Sequence, residues 1–351
     1  MNIIASAEMN KGTFEAKFVP LAQIEEVDNI FIVRKSKGPK LSKVIYIIIP
    51  KIFQISILKL FIPLFLAYHS KLKKASLILS YHAIPHAFYA FIASKLTGIP
   101  YNVSQTGLYI QKYSNRKILG KFIIYIFSKA AFINVPGTSS KNFWVNKGIK
   151  SQKINVLHST MDTFYYKPEK MTKEYDFIVL SRLAEVKNIE LTIKAIEILV
   201  NKGLKIKLVV VGDGGKKTDL EKLADEKNLT DYIKFVGFKL DTNKWFNKAK
   251  IYLMSSKSEG LPTSLMQAMS CQLVCITTDV GNISDMITHT ENGFLYKSED
   301  LDKLVELMEY ALSNYDNLKE LRNKARTRII EEHSYQAAIN KWKKVIKKLK
   351  S

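Results

Sequence analysis

Carboxylates are missing from a long stretch of this chain: between Asp28 and Asp162 there is neither an Asp nor a Glu. Residues 1–170 hold 24 Lys and Arg against 7 Asp and Glu, and the whole 351-residue chain carries a formal charge of +22. Such a surface favours an anionic partner, whether nucleic acid, an anionic membrane leaflet or a phosphorylated substrate. Arginine is scarce as well, with six residues in all. Base-edge readout leans on its planar fork, so nucleic acid is the weakest of the three. Cysteine is limited to Cys271 and Cys275, four apart in an apolar stretch without a second pair or a nearby histidine. That excludes a cysteine-based metal site and leaves two buried, reduced thiols.

Long apolar runs are missing too. Val44 to His69 is strongly apolar, but Pro50, Lys51, Lys59 and Pro63 interrupt it, so no run reaches the length of a bilayer span. Read at helical spacing, the segment packs on a sheet or lies in a membrane interface with its lysines lifted toward headgroups. Met1 to Lys17 has no basic region followed by a long apolar run, so the expectation is a cytoplasmic protein. No repeat of 20 to 50 residues stands out, which argues against a solenoid.

What is present is an alternation of β-rich runs with segments of helical period, the pattern of a parallel α/β fold. In the second half, strands are expected at Asp176–Leu180, Lys207–Val211, Ile233–Phe238, Ile251–Ser255 and Leu273–Thr277. Helices are expected at Ile189–Asn201, Thr218–Lys227, Thr263–Ser270 and Leu301–Asn314. The first half repeats the theme, with strands at Asn2–Ser6, Ile30–Arg34, Ala75–Ser80, Tyr101–Ser104 and Ala131–Val135. Phe164 to Lys173 has little periodicity and reads as a linker, placing a boundary near Pro168. The expected domains are therefore 1–168 and 169–334. A last helix, 335–351, turns Ala338, Trp342, Val345, Ile346 and Leu349 to one face.

Two loops carry chemistry. Ser255-Ser256-Lys257-Ser258-Glu259-Gly260-Leu261-Pro262-Thr263-Ser264 reads as strand, glycine turn and helix start, at the strand end where ligands bind in open α/β sheets. The amides after Pro262, with the Thr263 and Ser264 hydroxyls, suit an anion at a helix N-terminus. Ser181 to Asn188 also joins a strand to a helix, and its Arg182 and Lys187 could both reach one diphosphate. Either loop alone reads as readily as a capped helix or a solvated charge pair; together they make a cradle.

These loops resemble the retaining family-4 glycosyltransferases, whose signatures are an Arg-x4-Lys loop and a Glu-x7-Glu motif. The resemblance extends through Val211-Gly212-Asp213-Gly214, Val236-Gly237-Phe238, Gly281-Asn282 and Asn292-Gly293-Phe294-Leu295. It implies a GT-B fold: two Rossmann-like α/β domains facing a central cleft, with a C-terminal helix crossing back toward the N-terminal domain. It also implies Arg182, Lys187 and Glu259 as the catalytic set, with the two cations on the donor diphosphate and Glu259 on hydroxyls of the transferred sugar. Gly12, Gly237, Gly260, Leu261, Pro262, Thr263, Ser264 and Gln267 are the expected donor contacts, and His82 and Gln105 the expected acceptor-side contacts. Gln267 stands where the family has its second acid, and Gln105 near where it has a histidine. Lys11-Gly12 replaces a longer double-glycine loop, and His158 to Thr163 stands where the family has Asn-Gly-Val-Asp.

The implied activity is a metal-independent, retaining hexosyl transfer without a cofactor, from a nucleotide-sugar, with a UDP-sugar expected, in cell-surface polysaccharide biosynthesis. An inverting reaction would want an acceptor-side base, and the carboxylate gap leaves only Glu8, Glu15, Glu25, Glu26 and Asp28. The basic first half adds a glycan or polyprenyl-diphosphate-linked acceptor and a peripheral position on the inner face of the cell membrane. Rival readings are a non-catalytic partner subunit, a nucleotide-sugar epimerase or phosphorylase on the same scaffold, and a nucleic-acid binder. Three further patterns carry less. Gly212-Asp213-Gly214-Gly215 lacks the last glycine of a dinucleotide fingerprint. Asp300-Leu301-Asp302 opens a helix and reads as a cap. His82 and His86 lack a third metal ligand in sequence.

Overall fold

The computed structural model describes residues 1–55, 57–107 and 109–350. They form two compact units, the first made of residues 1–160 and 335–351 and the second of residues 161–334.

In the first unit, seven strands form one parallel sheet: β1 (Asn2–Ser6), β2 (Asn29–Arg34), β3 (Val44–Ile48), β4 (Ala75–Tyr81), β5 (Tyr101–Ser104), β6 (Phe132–Val135) and β7 (Ile154–Val156). Their spatial order is β3-β2-β1-β4-β5-β6-β7. Helices α1 (Lys11–Ala22), α2 (Ile62–Leu72), α3 (Phe88–Thr97), α4 (Tyr109–Ser114), α5 (Lys117–Lys129) and α6 (Thr138–Asn146) make most of the connections. Alternate strand residues serve opposite cores, as a period of two dictates. Ile3, Ala5, Leu77 and Leu79 face one; Ile4, Ile78, Val103 and Ile133 face the other.

The second unit holds six parallel strands: β8 (Tyr175–Leu180), β9 (Leu208–Val211), β10 (Ile233–Phe235), β11 (Ala249–Met254), β12 (Val274–Thr278) and β13 (Phe294–Tyr296), in the order β10-β9-β8-β11-β12-β13. Helices α7 (Ile189–Asn201), α8 (Lys217–Glu226), α9 (Thr242–Asn247), α10 (Thr263–Ser270), α11 (Leu301–Ser313) and α12 (Lys319–His333) accompany them. Both faces are covered, which is why strands such as Leu208-Val209-Val210-Val211 are apolar throughout. Helix α13 (Tyr335–Lys350) returns to the first unit, where Ile339, Trp342, Val345 and Ile346 join the core with Ile3, Phe14 and Phe132. That is the face the helical period singled out.

Two expectations need correction. Val44 to His69, read at helical spacing, instead begins as edge strand β3, passes two single-turn helices and becomes helical for good only at Ile62; Ser56 lies outside the described residues. The β-branched run at residues 44–48 pairs with β2, and Pro50 ends it. The stretch read as a linker, Phe164 to Lys173, is fastened to the second unit. The Tyr166 carbonyl accepts from Ser270 Oγ at 2.6 Å and Arg326 Nη1 at 3.1 Å, and Glu169 N donates to Asn247 Oδ1 at 2.8 Å. Those partners lie 78 to 160 residues away in sequence, beyond any local signal. The chain therefore passes between units at Thr160–Met161.

Candidate functional site

In both sheets the strand order reverses once, and the loops after the two strands flanking the reversal line a crevice at their carboxyl ends. In the second unit these strands are β8 and β11. The loops that follow them are Ser181–Asn188 and Ser255–Pro262, the two the sequence singled out.

The loops are tied to each other. Lys257 N donates to the Val186 carbonyl at 2.8 Å, and Ser255 Oγ reaches the Asn188 carbonyl at 2.8 Å. At the centre, Glu259 Oε1 accepts from Lys187 Nζ at 2.5 Å and from Ser256 Oγ at 2.6 Å. The two charged side chains are 10% and 20% exposed for Glu259 and Lys187, so the carboxylate is held by two donors largely out of water. Charge pairing and the serine hydroxyl offset the desolvation that an isolated ion would suffer. An ammonium has three protons, so Lys187 keeps donors to spare. Arg182 is exposed, and its guanidinium makes no hydrogen bond or ion pair among the described residues. Ser181 Oγ is buried with no hydrogen-bond partner and lines the same pocket as Lys187, Ser256, Glu259 and Ser264.

Helix α10 starts at Thr263 with Pro262 as its cap residue and without a side-chain cap, so its first amides are open to an anion. Thr263 is exposed, while Ser264 Oγ pairs with the Tyr252 hydroxyl at 2.8 Å. Burial holds the Tyr252 hydroxyl well above its usual range, so it stays protonated. Leu261 packs into the core beneath. Gly260 has open space where a Cβ would stand; its carbonyl accepts from Asn282 N at 3.2 Å. Gly281 is different, because with φ +68 a Cβ there would lie 1.9 Å from the Glu259 carbonyl. Gly212 does the same for the other loop: φ is +145 and a Cβ would meet the Ser181 carbonyl at 1.8 Å. These glycines let neighbouring backbone press against both loops.

Some expected residues stand apart. Gly237 (φ +70) follows edge strand β10, two strands from β8, and supplies a carbonyl to Gly212 N at 3.0 Å. Gln267 lies one turn beyond Thr263 in α10. Asp300 is a helix cap, its Oδ1 accepting from Lys303 N at 3.0 Å. Cys271 and Cys275 are free and buried, and burial pushes the Cys271 thiol up to about 12. Among the described residues no cluster of three His, Cys, Asp or Glu could hold a metal ion.

In the first unit the reversal lies between β1 and β4. Ser6 Oγ at the end of β1 shares a hydrogen bond of 2.7 Å with His86 Nδ1, and Thr106 Oγ1 does so with His82 Nδ1 at 2.7 Å. Burial, then the charges of His82 and Lys35, lower His86 to about 4; burial also lowers His82, against the Glu8 backbone carbonyl, which favours the protonated ring. Gly12 sits exposed in the first turn of α1, which Asn10 caps. Gln105, expected on the acceptor side, is 4% exposed and committed: its Oε1 accepts from Trp144 Nε1 at 2.7 Å and its Nε2 donates to the Gly107 carbonyl at 2.8 Å. It supports the loop from below. The roles of Ser181 and Ser256 were not legible in sequence; a small hydroxyl residue at a strand end was the only signal.

Residues 162–328 match the family model described as glycosyl transferases group 1. The chain is 27% identical over 164 residues to the poly(ribitol-phosphate) alpha-N-acetylglucosaminyltransferase of Staphylococcus aureus, covering 46% of this chain and 33% of that protein. It thus spans about a third of that relative's length. It is 26% identical over 257 residues, 70% of each chain, to an alpha-1,4-N-acetyl-D-galactosaminyltransferase of Campylobacter jejuni named for a diphospho-undecaprenol-linked GalNAc acceptor. Among solved structures, Anabaena HepE in complex with UDP superposes with a TM-score of 0.82 at 14% identity, covering 99% of this chain and 100% of that one. The fold is GT-B.

Proposed function

We propose that the chain is a retaining hexosyltransferase with a nucleotide-sugar donor, a reading supported by the match of residues 162–328 to the glycosyl transferases group 1 model. The observation that carries the reading is the Glu259 carboxylate, 10% exposed and fixed by Lys187 and Ser256 at the end of β11. An acceptor of hydroxyl protons beside an anion site is what a sugar diphosphate requires. Arg182, the spare protons of Lys187 and the open amides of α10 take the diphosphate, while Glu259 takes sugar hydroxyls. Ser181 Oγ, buried without a partner, gains one from the ligand.

In the proposed step the bond between anomeric carbon and phosphate oxygen breaks, and the nucleoside diphosphate leaves with the electron pair. Cations and helix amides stabilise that charge where it develops. The acceptor oxygen bonds to the same face of the sugar, and its proton passes to the departing phosphate oxygen. The absence of any Asp or Glu from residue 29 to residue 161 supports this route over one needing an acceptor-side carboxylate. A UDP-sugar is the favoured donor, since the Anabaena neighbour was solved with UDP and with UDP-glucose. The acceptor is a glycan or a polyprenyl-diphosphate-linked sugar at the inner face of the cell membrane, a reading supported by the basic, apolar surface of the first unit and by the Campylobacter relative's undecaprenol-linked acceptor. Cell-surface polysaccharide synthesis is the corresponding role.

The test is a thermal-shift screen against UDP-, GDP- and ADP-sugars, because only a ligand that prefers the folded state raises Tm. One donor should stabilise the native chain, and Arg182→Ala should abolish the shift. Glu259→Gln should keep most of the UDP-dependent shift yet lower kcat by about a hundredfold or more. No shift with any donor would favour a non-catalytic partner subunit. Turnover of the donor alone would favour an epimerase.

A further inference from the structure

The first unit carries a groove of about 660 Å³ at the free edge of its sheet. Its floor is residues 154–157, strand β7 and the residue after it, and its walls come from α6 and α13. β7 is last in the strand order, and the two helices lie on opposite faces of the sheet. Trp144 of α6 packs in the core with Ile4 and Ile78, whereas Trp342 of α13 packs in the core with Ile3 and Leu77. The groove is therefore a slot along the sheet edge with a helix on either side. Five of its ten lining residues are lysines: Lys141 from α6, and Lys341, Lys344, Lys347 and Lys348 from α13. With 54 Lys and Arg in 351 residues, an even spread would put one or two there. No Asp or Glu lines the slot, and α13 has none along its length. Lys141, Lys344 and Lys347 make no ion pair among the described residues. Like charges gathered in this way repel one another, and a bound anion relieves that repulsion.

We propose that this slot binds a linear anionic glycan, the distal part of the acceptor chain, with phosphate or carboxylate groups of successive units meeting the lysines. The proposal rests on the glycan acceptor of the preceding reading and gives that acceptor its charge. Shape favours a chain. Lys341, Lys344 and Lys348 fall at i, i+3 and i+7 on one helical face, so the cations line about 10 Å of wall. A slot takes a chain, whereas a bilayer presents a plane. Chemistry favours a glycan over nucleic acid, since neither an aromatic ring nor an arginine lines the slot and bases would have no stacking platform. It disfavours an acidic peptide too, because an edge strand of three residues flanked by lysines is built to refuse strand addition. The half-buried Asn155 in the floor offers hydroxyl groups both a donor and an acceptor. Position suits a distal segment: β7 lies three strands from β4, roughly 14 Å at ordinary strand spacing, to one side of the crevice where the strand order reverses.

The experiment measures binding to the full chain by calorimetry, with a galacturonate decamer, a phosphodiester-linked mannose decamer, a neutral glucose decamer and oligo(dT) of the same length. At least one anionic glycan should bind about tenfold or more tighter than the neutral one, and the tighter of the two names the anion. That margin should shrink at 1 M salt, where the Debye length is about 3 Å. Lys344→Glu with Lys347→Glu reverses two exposed wall charges and should lower the affinity by about tenfold or more. Lys112→Glu with Lys121→Glu makes the same change in net charge on α4 and α5 and should leave it within about twofold. Both double variants change exposed lysines and should unfold cooperatively near the native Tm. Equal affinity for charged and neutral chains would overturn the proposal. Equal losses in the two variants would also overturn it, since net charge alone would then account for the attraction. Tighter binding of oligo(dT) than of either anionic glycan would overturn it in favour of a nucleic-acid site. If no decamer binds, it is overturned and the lysines only guard a sheet edge. Donor binding and turnover are read in separate assays, so failure of the glycosyltransferase reading would show there and not in this comparison.

Discussion

One carboxylate oxygen collects the candidate site: Glu259 Oε1 is bonded to Lys187 and Ser256 at 2.5 and 2.6 Å. The sequence reading gave the lysine to phosphate and the glutamate to sugar, and the structure makes them partners. Removing one member of so buried a pair leaves an uncompensated charge, at ~3–5 kcal/mol, so charge-conserving or isosteric variants are the informative ones. In the first unit, His86 offers a test through pH. Burial holds it at about 4, against about 6.5 in the unfolded chain. The unfolded state therefore binds more protons between those values, and stability rises with pH across that window. Stability is full above pH about 6.5 and falls by up to ~3 kcal/mol as pH drops toward 4. Urea titrations at pH 7 and pH 5 check this, and His86→Gln should flatten the slope.

At the scale of elements, two short loops owe their shape to glycines elsewhere. Gly281 and Gly203 both hold positive φ, +68 and +85, but a Cβ at Gly281 meets the Glu259 carbonyl at 1.9 Å whereas one at Gly203 meets nothing within 4 Å. Gly203→Ala should cost ~1–2 kcal/mol, the left-handed backbone alone. Gly281→Ala adds displacement of the Glu259 loop and should cost at least ~1 kcal/mol more while lowering kcat. Paired thermal denaturation and turnover measurements separate the two effects. Equal losses would mean that the Glu259 loop yields freely. Helix α10 follows the same logic, since an N-terminus without a side-chain cap leaves amides for a ligand.

For the molecule as a whole, the uneven charge is the dominant feature. The first 170 residues carry 24 Lys and Arg against 7 Asp and Glu, and apolar side chains such as Ile57 (73%) and Leu60 (70%) stand exposed among them. No helix among the described residues is long and apolar enough to cross a membrane. A protein with this surface should pellet with anionic vesicles, each lysine near the surface contributing about 1 kcal/mol. It should release at high salt as the Debye length shrinks from about 10 Å at 0.1 M to about 3 Å at 1 M. Indifference to lipid charge would remove the peripheral-membrane reading.

The sequence by itself determined the alternation of strand and helix, the buried face of α13 and the two chemical loops, because period and turn chemistry are written locally. Edge strand β3 escaped it: an apolar run broken by prolines satisfies more than one local pattern, and only pairing with β2 selects among them. The true unit boundary escaped it because Asn247 and Arg326, far along the chain, bind the presumed linker. Lys187 and Glu259 are 72 residues apart, and nothing local says that they touch. Tertiary structure decided that contact by setting β8 beside β11, since strand order follows from burying both faces of a parallel sheet under right-handed crossovers, a property of the assembled chain.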